Sequence, residues 1–187
     1  MTHVKNNTNE VDWYSPTHLV DAARRVMGGI DLDPASCEVA NTVVRAATFY
    51  TSKTNGLAVA WHGRVWLNPP YSARGVDKFT RKLRAEYEAD RVEQAVVLVN
   101  NATETVWFQA IACPASALCL PRGRLKFWHP ERTSAPLQGQ ALLYLGPDPV
   151  SFCHEFSAFG ITTSNLNAPT VPGEQDALFA YRADRAA

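Results

Sequence analysis

Long apolar runs are missing from this sequence, and no stretch approaches the roughly 20 residues that a transmembrane helix needs. The first ten residues also lack the apolar segment of a secretion signal. The four cysteines form no Cys-x-x-Cys pair, and the five histidines show no metal-ligand spacing. These absences argue against a membrane protein and a zinc site, and they favour reduced thiols in a cytoplasm.

Net charge is also missing, because 18 basic residues balance 18 acidic ones. A protein that coats nucleic acid is usually basic, so the balance argues against that class but not against an enzyme with a local DNA-binding patch. No Gly-x-Gly-x-x-Gly pattern occurs, so the dinucleotide-binding fingerprint is absent. The 187 residues suit one α/β domain. We predict this domain over residues 12–163, after a flexible segment at 1–11 and before an irregular tail at 164–187.

The most informative stretch is a short apolar run that ends at Asn68, Pro69, Pro70 and Tyr71. The run over residues 65–67 is typical of a buried strand, and neither proline can continue a central strand. Asn68 and Tyr71 are therefore predicted on a stiff loop at the carboxyl end of a strand. In open α/β sheets, that end is where ligands bind.

The same four residues suit methyl transfer to a conjugated amino group. The amino nitrogen of adenine is a poor nucleophile because its lone pair is delocalised into the ring. The side-chain oxygen of Asn68 and the carbonyl of Pro69 can accept its two hydrogens, which favours a pyramidal nitrogen. Tyr71 can stack on the base, so catalysis would rest on positioning and electrostatics. The alternative is a strand-to-helix turn that the prolines only stiffen.

Two earlier stretches are candidates for binding a cofactor. Ser15 fits a helix N-cap and Pro16 the first helical position, before a helix that ends at Gly28. Its free N–H groups could hold a carboxylate such as that of a methionine moiety, or the stretch is an ordinary capped helix. A first strand is predicted within residues 30–36, broken at Pro34, so that it ends at Asp33. There, Asp33 and the turn after it either border a nucleoside or sulfonium cofactor or form a plain Asp-Pro turn.

The predicted helix after Ser72 carries several basic side chains, Arg74 and Lys78 among them. Such a run usually forms a solvated face, and a phosphate-facing surface is the alternative. The remaining patterns predict a helix over residues 36–46, capped by Ser36, and another from Thr103 onward, capped by Thr103. Strands are predicted over 47–50, 95–99 and 117–120, and residues 151–159 are predicted as either a helix or a strand.

A second basic segment alternates charged and apolar side chains through Arg122, Arg124 and Lys126. We predict that it forms an antiparallel hairpin with residues 140–145, across a loop at 131–139. The segment suits a charged sheet edge and equally a strand that tracks a phosphate backbone.

Several short motifs carry a family resemblance. In chain order they are Asp12-Trp13-Tyr14-Ser15-Pro16, Leu32-Asp33-Pro34-Ala35-Ser36, Phe49-Tyr50-Thr51, Gly56-Leu57, Trp61, the run from Val65 to Ser72 and the run from Gly123 to Phe127. With them, the sequence resembles the phage-type DNA N6-adenine methyltransferases, the Dam family carried by phages and prophages. The resemblance covers roughly residues 12–146. Together with the strand pattern, it implies a single-domain, Rossmann-like α/β fold with a mostly parallel central sheet and a C-terminal antiparallel hairpin.

The resemblance also implies roles for individual residues. The motif from Asn68 to Tyr71 would contact a target adenine that is flipped out of double-stranded DNA. The residues implied at the cofactor, S-adenosyl-L-methionine, are Tyr14, Ser15, Pro16, Asp33, Pro34 and Ala35. The basic side chains of both segments are expected on the DNA. A phage or prophage enzyme of this family would act in the cytoplasm of a bacterial host.

Two departures from the family pattern keep alternatives open. Asn68 stands where many adenine enzymes carry an aspartate, and Asn-Pro-Pro-Tyr also occurs in enzymes that methylate RNA guanine or protein glutamine. No acidic residue lies between Val39 and Gly63, where methyltransferases usually hold the cofactor ribose, and Asn55 could stand in. A non-catalytic DNA- or nucleoside-binding module is a third interpretation. The phage-like motifs and the basic segments favour DNA as the acceptor.

Overall fold

The computed structural model describes residues 14–129 and 138–164. These residues form one seven-stranded sheet flanked by helices. The strands are β1 Leu32–Asp33, β2 Thr48–Phe49, β3 Gly63–Leu67, β4 Val92–Asn100, β5 Ala117–Pro121, β6 Gln140–Leu145 and β7 Gly160–Ser164. The helices are α1 Thr17–Met27, α2 Glu38–Val44, α3 Ala73–Glu88, α4 Val106–Ala112 and α5 Pro149–Phe156, with a short 3-10 helix at Gly56–Ala58.

The sheet is mixed, and the predicted mostly parallel sheet is wrong. Its strands lie in the order β2-β1-β3-β4-β6-β5-β7. The pairings from β2 to β4 are parallel, whereas β6 pairs antiparallel with β4 and β5, and β7 pairs antiparallel with β5. All residues of β6 are buried, which suits a strand between two others. An apolar run indicates that a strand is buried but not in which direction it runs, so the sequence did not predict the switch from parallel to antiparallel pairing at β6.

The predicted hairpin between the second basic segment and residues 140–145 is also wrong. β6 pairs with β4 and β5 instead, and residues 122–127 belong to no strand. Arg122, Arg124 and Lys126 are exposed, whereas a strand beside β6 must lie in the buried part of the sheet. The apolar β5 meets that requirement.

α1 begins at Thr17, one residue later than predicted. Its N-cap is Pro16, which offers no side-chain cap, so the predicted Ser15 cap is wrong. Ser15 is buried instead, and its carbonyl accepts a hydrogen bond from the indole Nε1 of Trp128 at 3.1 Å. The predicted end is confirmed, because Gly28 adopts the left-handed conformation (φ 73°) that commonly closes a helix.

Two other helices begin beside their predicted caps. α2 is capped by Cys37 rather than Ser36. The N–H of Ser36 donates a hydrogen bond to the carbonyl of Tyr50 at 2.8 Å, which ties Ser36 to the end of β2 instead of to the helix. α4 is capped by Thr105, two residues after the predicted Thr103. Residue type identifies good caps, but tertiary hydrogen bonds select among neighbours.

Alternate residues of the central strands lie on opposite faces of the sheet. Trp66 and Leu98 pack on the face that α1, α2 and α5 cover, which we call the α1 face. Leu67 and Val97 pack on the opposite face, which α3 and α4 cover and which we call the α3 face. Both faces are therefore buried, as the interior strands of such a sheet require.

Three predictions fall wholly or largely outside the described residues. They concern the flexible segment at 1–11, the loop at 131–139 apart from its last two residues, and the irregular tail after β7. Within residues 14–129 and 138–164, no helix is both long enough and apolar enough to cross a membrane.

Candidate active site

Three parallel strands end at the same edge of the sheet, and a polar side chain lies at each end. β1 ends at Asp33, β3 is followed by Asn68, and β4 ends at Asn100. Because side chains alternate along a strand, all three project to the α1 face. The structure therefore brings the predicted cofactor strand and the Asn-Pro-Pro-Tyr loop side by side.

Asn68 carries one of two buried, unpartnered polar atoms of this loop among the described residues. Its side chain is half-buried, and its Oδ1 is buried without a hydrogen-bond partner among the described residues. An unpaired buried acceptor costs about 1–3 kcal/mol, so such atoms are rare in native structures. The adjacent Pro69 is buried as well. The arrangement is suited to a ligand that donates hydrogen bonds to Asn68.

Tyr71 lies on the α1 face with its ring edge against Phe127. The two ring centroids are 5.9 Å apart at an interplanar angle of 78°. The Tyr71 hydroxyl is buried and has no hydrogen-bond partner in the described part of the chain. Burial raises the pKa of Tyr71 well above its ordinary value, so the phenol stays protonated. Tyr71 can therefore offer an aromatic surface and a hydroxyl, but not a base.

The start of α3 holds the loop in place. The Oγ of Ser72 accepts a hydrogen bond from the N–H of Gly75 at 3.1 Å and caps the helix. A Cβ at Gly75 would lie 2.8 Å from the carbonyl oxygen of Pro70, so only glycine allows this approach. Gly75 is a supporting residue that the sequence analysis missed. Its signal was a glycine three residues after a capping serine.

Asp33 is only 3% exposed, and burial raises the pKa of its carboxyl to about 7. The Ser36 side chain partly opposes that shift, and so does the N–H of Ala35, which donates to Asp33 Oδ1 at 3.2 Å. The carboxyl therefore changes charge near neutral pH, and a cation bound beside it would favour the ionised form. Within the described ranges, no group of three or more histidine, cysteine or carboxylate side chains could hold a metal ion.

The turn after β2 closes against the turn after β1. A Cβ at Gly56 would lie 2.1 Å from the carbonyl oxygen of Pro34, so the two turns touch through the glycine. The Oδ1 of Asn55 accepts a hydrogen bond from the N–H of Leu57 at 3.3 Å and caps the short 3-10 helix. The residue considered for the cofactor ribose therefore already has a structural role.

Residues 14–16 are tied to the segment after β5. The N–H of Tyr14 donates to the carbonyl of Trp128 at 2.9 Å, and the N–H of Trp128 donates back at 3.1 Å. The Tyr14 ring stacks on His129, with centroids 5.8 Å apart. Ser15 and Pro16 are buried behind this bridge. These contacts hold the start of α1 against the segment that also contacts Tyr71.

Phe127 and Trp128 join the two halves of the candidate site, and the sequence analysis did not assign them to it. Phe127 is buried against Tyr71, and Trp128 pairs with Tyr14. The segment therefore forms a wall between the Asn-Pro-Pro-Tyr loop and residues 14–16, and not the outer strand of a hairpin. The available signal was an aromatic pair that ends a basic stretch.

The basic residues of α3 divide into paired and unpaired side chains. Arg81, Lys82 and Arg84 form ion pairs with acidic residues of the same helix. Arg74 and Lys78 are exposed and have no ion-pair partner among the described residues. These two side chains are also the closest in sequence to the Asn-Pro-Pro-Tyr loop.

The exposed side chains of the second basic segment lie beside the same site. Arg122, Arg124 and Lys126 are exposed, whereas Leu125 is half-buried and Phe127 is buried. The alternation of charged and apolar side chains seen in the sequence is therefore matched by alternating exposure, although the segment forms no strand. Leu125 and Phe127 pack into the core of the α1 face, and the cationic side chains lie at the surface.

The seven-stranded α/β sheet, with a loop carrying an unpaired amide oxygen at its carboxyl edge, is compatible with a methyltransferase-like protein. The comparison with protein families is consistent with this class. A family model described as DNA N-6-adenine-methyltransferase (Dam) matches residues 2–144, which is more than half of the chain. The chain belongs to the Dam family, and the resemblance found in its motifs is confirmed. A search of curated proteins finds no match.

Proposed function

We propose that this chain transfers a methyl group from S-adenosyl-L-methionine to the N6 amino group of adenine in double-stranded DNA. The family supplies the general activity, and the methyl donor, the substrate form and the residue roles are our inference. The observation that carries the proposal is the buried, unpaired Oδ1 of Asn68 beside Pro69. We assign the catalytic unit to residues 12–163 and its place of action to the cytoplasm of a phage or prophage host.

The Asn-Pro-Pro-Tyr loop would bind the amino group by its two hydrogens. Asn68 Oδ1 accepts one hydrogen and the carbonyl of Pro69 accepts the other. Both hydrogen bonds strengthen as the nitrogen becomes pyramidal, so they stabilise the transition state more than the ground state. Tyr71 stacks on the base, which is worth about 1–3 kcal/mol. The methylated nitrogen then loses its extra proton to water, so no protein base is required.

The cofactor side of the site fits S-adenosyl-L-methionine, which supplies an electrophilic methyl group on a cationic sulfur. The Asp33 carboxyl is buried, and its pKa is raised to about 7. A cation bound beside it would stabilise the ionised form. We assign Asp33, Pro34 and Ala35 to the nucleoside side. Tyr14, Ser15 and Pro16 are assigned to the methionine end.

The exposed basic residues would bind the phosphates on either side of the flipped base. Arg74 and Lys78 follow the loop on α3, and Arg122, Arg124 and Lys126 precede the aromatic wall. This local charge accounts for DNA binding by a chain with zero net charge. Extraction of the base is needed because the amino group is paired within the duplex.

The test uses purified protein and radiolabelled S-adenosyl-L-methionine, with duplex DNA, RNA and protein as parallel acceptors. After digestion to nucleosides, we expect N6-methyladenine from the DNA alone. Radiolabel in RNA or in protein glutamine would instead identify that molecule as the methyl acceptor. Cofactor binding without transfer to any acceptor would support the non-catalytic binding module.

A further inference from the structure

We propose that Asn100 and Gln140 form an amide pair that recognises a ring nitrogen of the flipped adenine next to its amino group. The inference rests on the proposed function and deepens it. Asn100 would donate its Nδ2 hydrogen to this ring nitrogen, and Gln140 would fix the orientation of Asn100. Base-edge recognition would then include strands β4 and β6 as well as the Asn-Pro-Pro-Tyr loop.

The amide pair lies directly across the antiparallel pairing of β4 and β6. Asn100 and Gln140 are register partners, and the Nε2 of Gln140 donates to the Oδ1 of Asn100 at 3.2 Å. Gln140 occupies the same face as Leu142 and Tyr144, which is the α1 face. Asn100 occupies the same face as Leu98. The pair therefore shares a face with Asn68 and Tyr71.

Adjacent-strand geometry brings this pair next to the Asn-Pro-Pro-Tyr loop. Leu67 is in register with Val97, so Asn68 lies beside the strand that ends at Asn100. Neighbouring strands are about 4.8 Å apart, and two residues span about 6.6 Å along a strand. Asn100 thus lies on the strand next to Asn68 and two residues further toward the edge of the sheet where the parallel strands end. A base held by Asn68 would extend in that direction.

The hydrogen bonding of the pair is incomplete within the described chain. Gln140 is only 8% exposed, yet its Oε1 has no partner there. Asn100 accepts from Gln140, and its Nδ2 makes no hydrogen bond with a described residue. The pair therefore has one donor, Asn100 Nδ2, and one buried acceptor, Gln140 Oε1, without partners among the described residues. A primary amide is the side chain that proteins use to pair with the amino group and ring nitrogen of adenine.

A purely structural role explains these observations less well. β4 and β6 are already joined by a ladder that runs from Ala95 to Asn100, so the pair is not needed to join the strands. A clamp at the end of that ladder could be apolar and would need no amide. The Nδ2 of Asn100, unpartnered in the described chain, is explained if a ring nitrogen of the base accepts its hydrogen.

The first test changes the substrate and leaves the protein intact. Target sites would carry adenine, 1-deazaadenine or 7-deazaadenine, because N1 and N7 are the ring nitrogens that flank the amino-bearing carbon. We expect wild-type kcat/KM to fall about tenfold for one analogue and little for the other. Equal rates on all three bases would overturn the inference.

The second test uses Asn100→Asp, which removes the donor at nearly constant size, and Asn101→Asp as the matched neighbouring control. We expect Asn100→Asp to lose about tenfold in kcat/KM on adenine and to stop distinguishing the analogues. Its KM for S-adenosyl-L-methionine and its melting temperature should remain close to wild type, whereas Asn101→Asp should keep the discrimination. Retained discrimination in Asn100→Asp would reject the inference alone. A wild-type protein that methylates no DNA would reject the proposed function together with it.

Discussion

The two ends of strand β3 are built in opposite ways. At its start, the guanidinium of Arg64 donates to both oxygens of Asp31, at 2.8 and 2.7 Å. The backbone N–H of Arg64 adds a further bond to Asp31 at 2.9 Å. At its end, Asn68 Oδ1 and the Tyr71 hydroxyl are buried without partners in the described chain. One end has its polar groups satisfied by the protein, and the other has two buried polar groups without partners in the described chain.

The two carboxyls of the β1 region show the same contrast. The Arg64 hydrogen bonds hold the pKa of Asp31 below its ordinary value, whereas burial raises that of Asp33 to about 7. Asp31 is therefore an anion at neutral pH, and its pairing with Arg64 stabilises the fold. Asp33 becomes an anion only near neutral pH, and its ionised carboxylate would attract a cationic partner. The position along the strand, and not the residue type, sets the opposite pKa shifts of these two carboxyls.

Asn68→Ala should give the largest effect on activity. We expect methyl transfer to fall about 100-fold or more, because the variant lacks the acceptor for the amino hydrogen. The free energy of unfolding should stay equal or rise slightly, since an unpaired buried oxygen is removed. Rates measured with labelled cofactor, together with thermal melting, check both parts. Tyr71→Ala should behave similarly in the rate, and normal activity in both variants would reject the site.

Arg64→Ala should show the converse pattern. We expect a loss of about 2 kcal/mol in the free energy of unfolding, since the charge-assisted bonds are partly screened at side-chain exposures of 31% and 39%. Activity per folded molecule should be unchanged. Because the Asp31 pKa is depressed, its contribution is present above pH 3.8 and is lost as pH falls through the lower folded value. Denaturant curves should therefore converge for variant and wild type in strong acid; equal stability at pH 7 would contradict the comparison.

Asp33 should couple cofactor affinity to pH. In the free protein, the contribution of Asp33 to the free energy of unfolding is most favourable below its unfolded pKa of 3.8 and declines as pH rises toward about 7. A bound sulfonium favours the ionised carboxyl, so the affinity for S-adenosyl-L-methionine should rise about tenfold from pH 6 to 7.5. Calorimetric titration checks this. The affinity for S-adenosylhomocysteine, which lacks the sulfonium charge, should depend little on pH, and so should the affinity of the Asp33→Asn variant for S-adenosyl-L-methionine. If Asp33→Asn keeps the wild-type pH profile, the Asp33 carboxyl does not belong to the cofactor site.

Arg74→Ala should have the smallest effect. We expect DNA affinity to fall several-fold and the slope of log affinity against log salt to decrease by about one, as for the loss of one phosphate contact. Arg81→Ala is the matched control on the same helix, because Arg81 already pairs with Asp77 at 2.7 Å. Binding titrations at several salt concentrations measure both. Equal slopes for Arg74→Ala and wild type would move the DNA path away from α3.

The sequence by itself determined the features that depend on local chemistry. The prolines after Leu67 end β3 wherever it lies in the sheet, and Gly28 ends α1 because glycine tolerates its positive φ. The apolar runs of β4 and β5 identified buried strands, and the motif order identified the family. These features are set within a few residues, so they can be read without the fold.

Only the tertiary structure decided which of those features meet. The insertion of β6 between β4 and β5, and hence the mixed sheet, depends on pairing between distant strands. Phe127 and Trp128 became a wall through contacts with Tyr71 and Tyr14, far away in sequence. The pKa of Asp33 and the unpaired oxygen of Asn68 arise from burial by several elements at once. Burial and long-range pairing are properties of the assembled chain, which is why local patterns did not predict them.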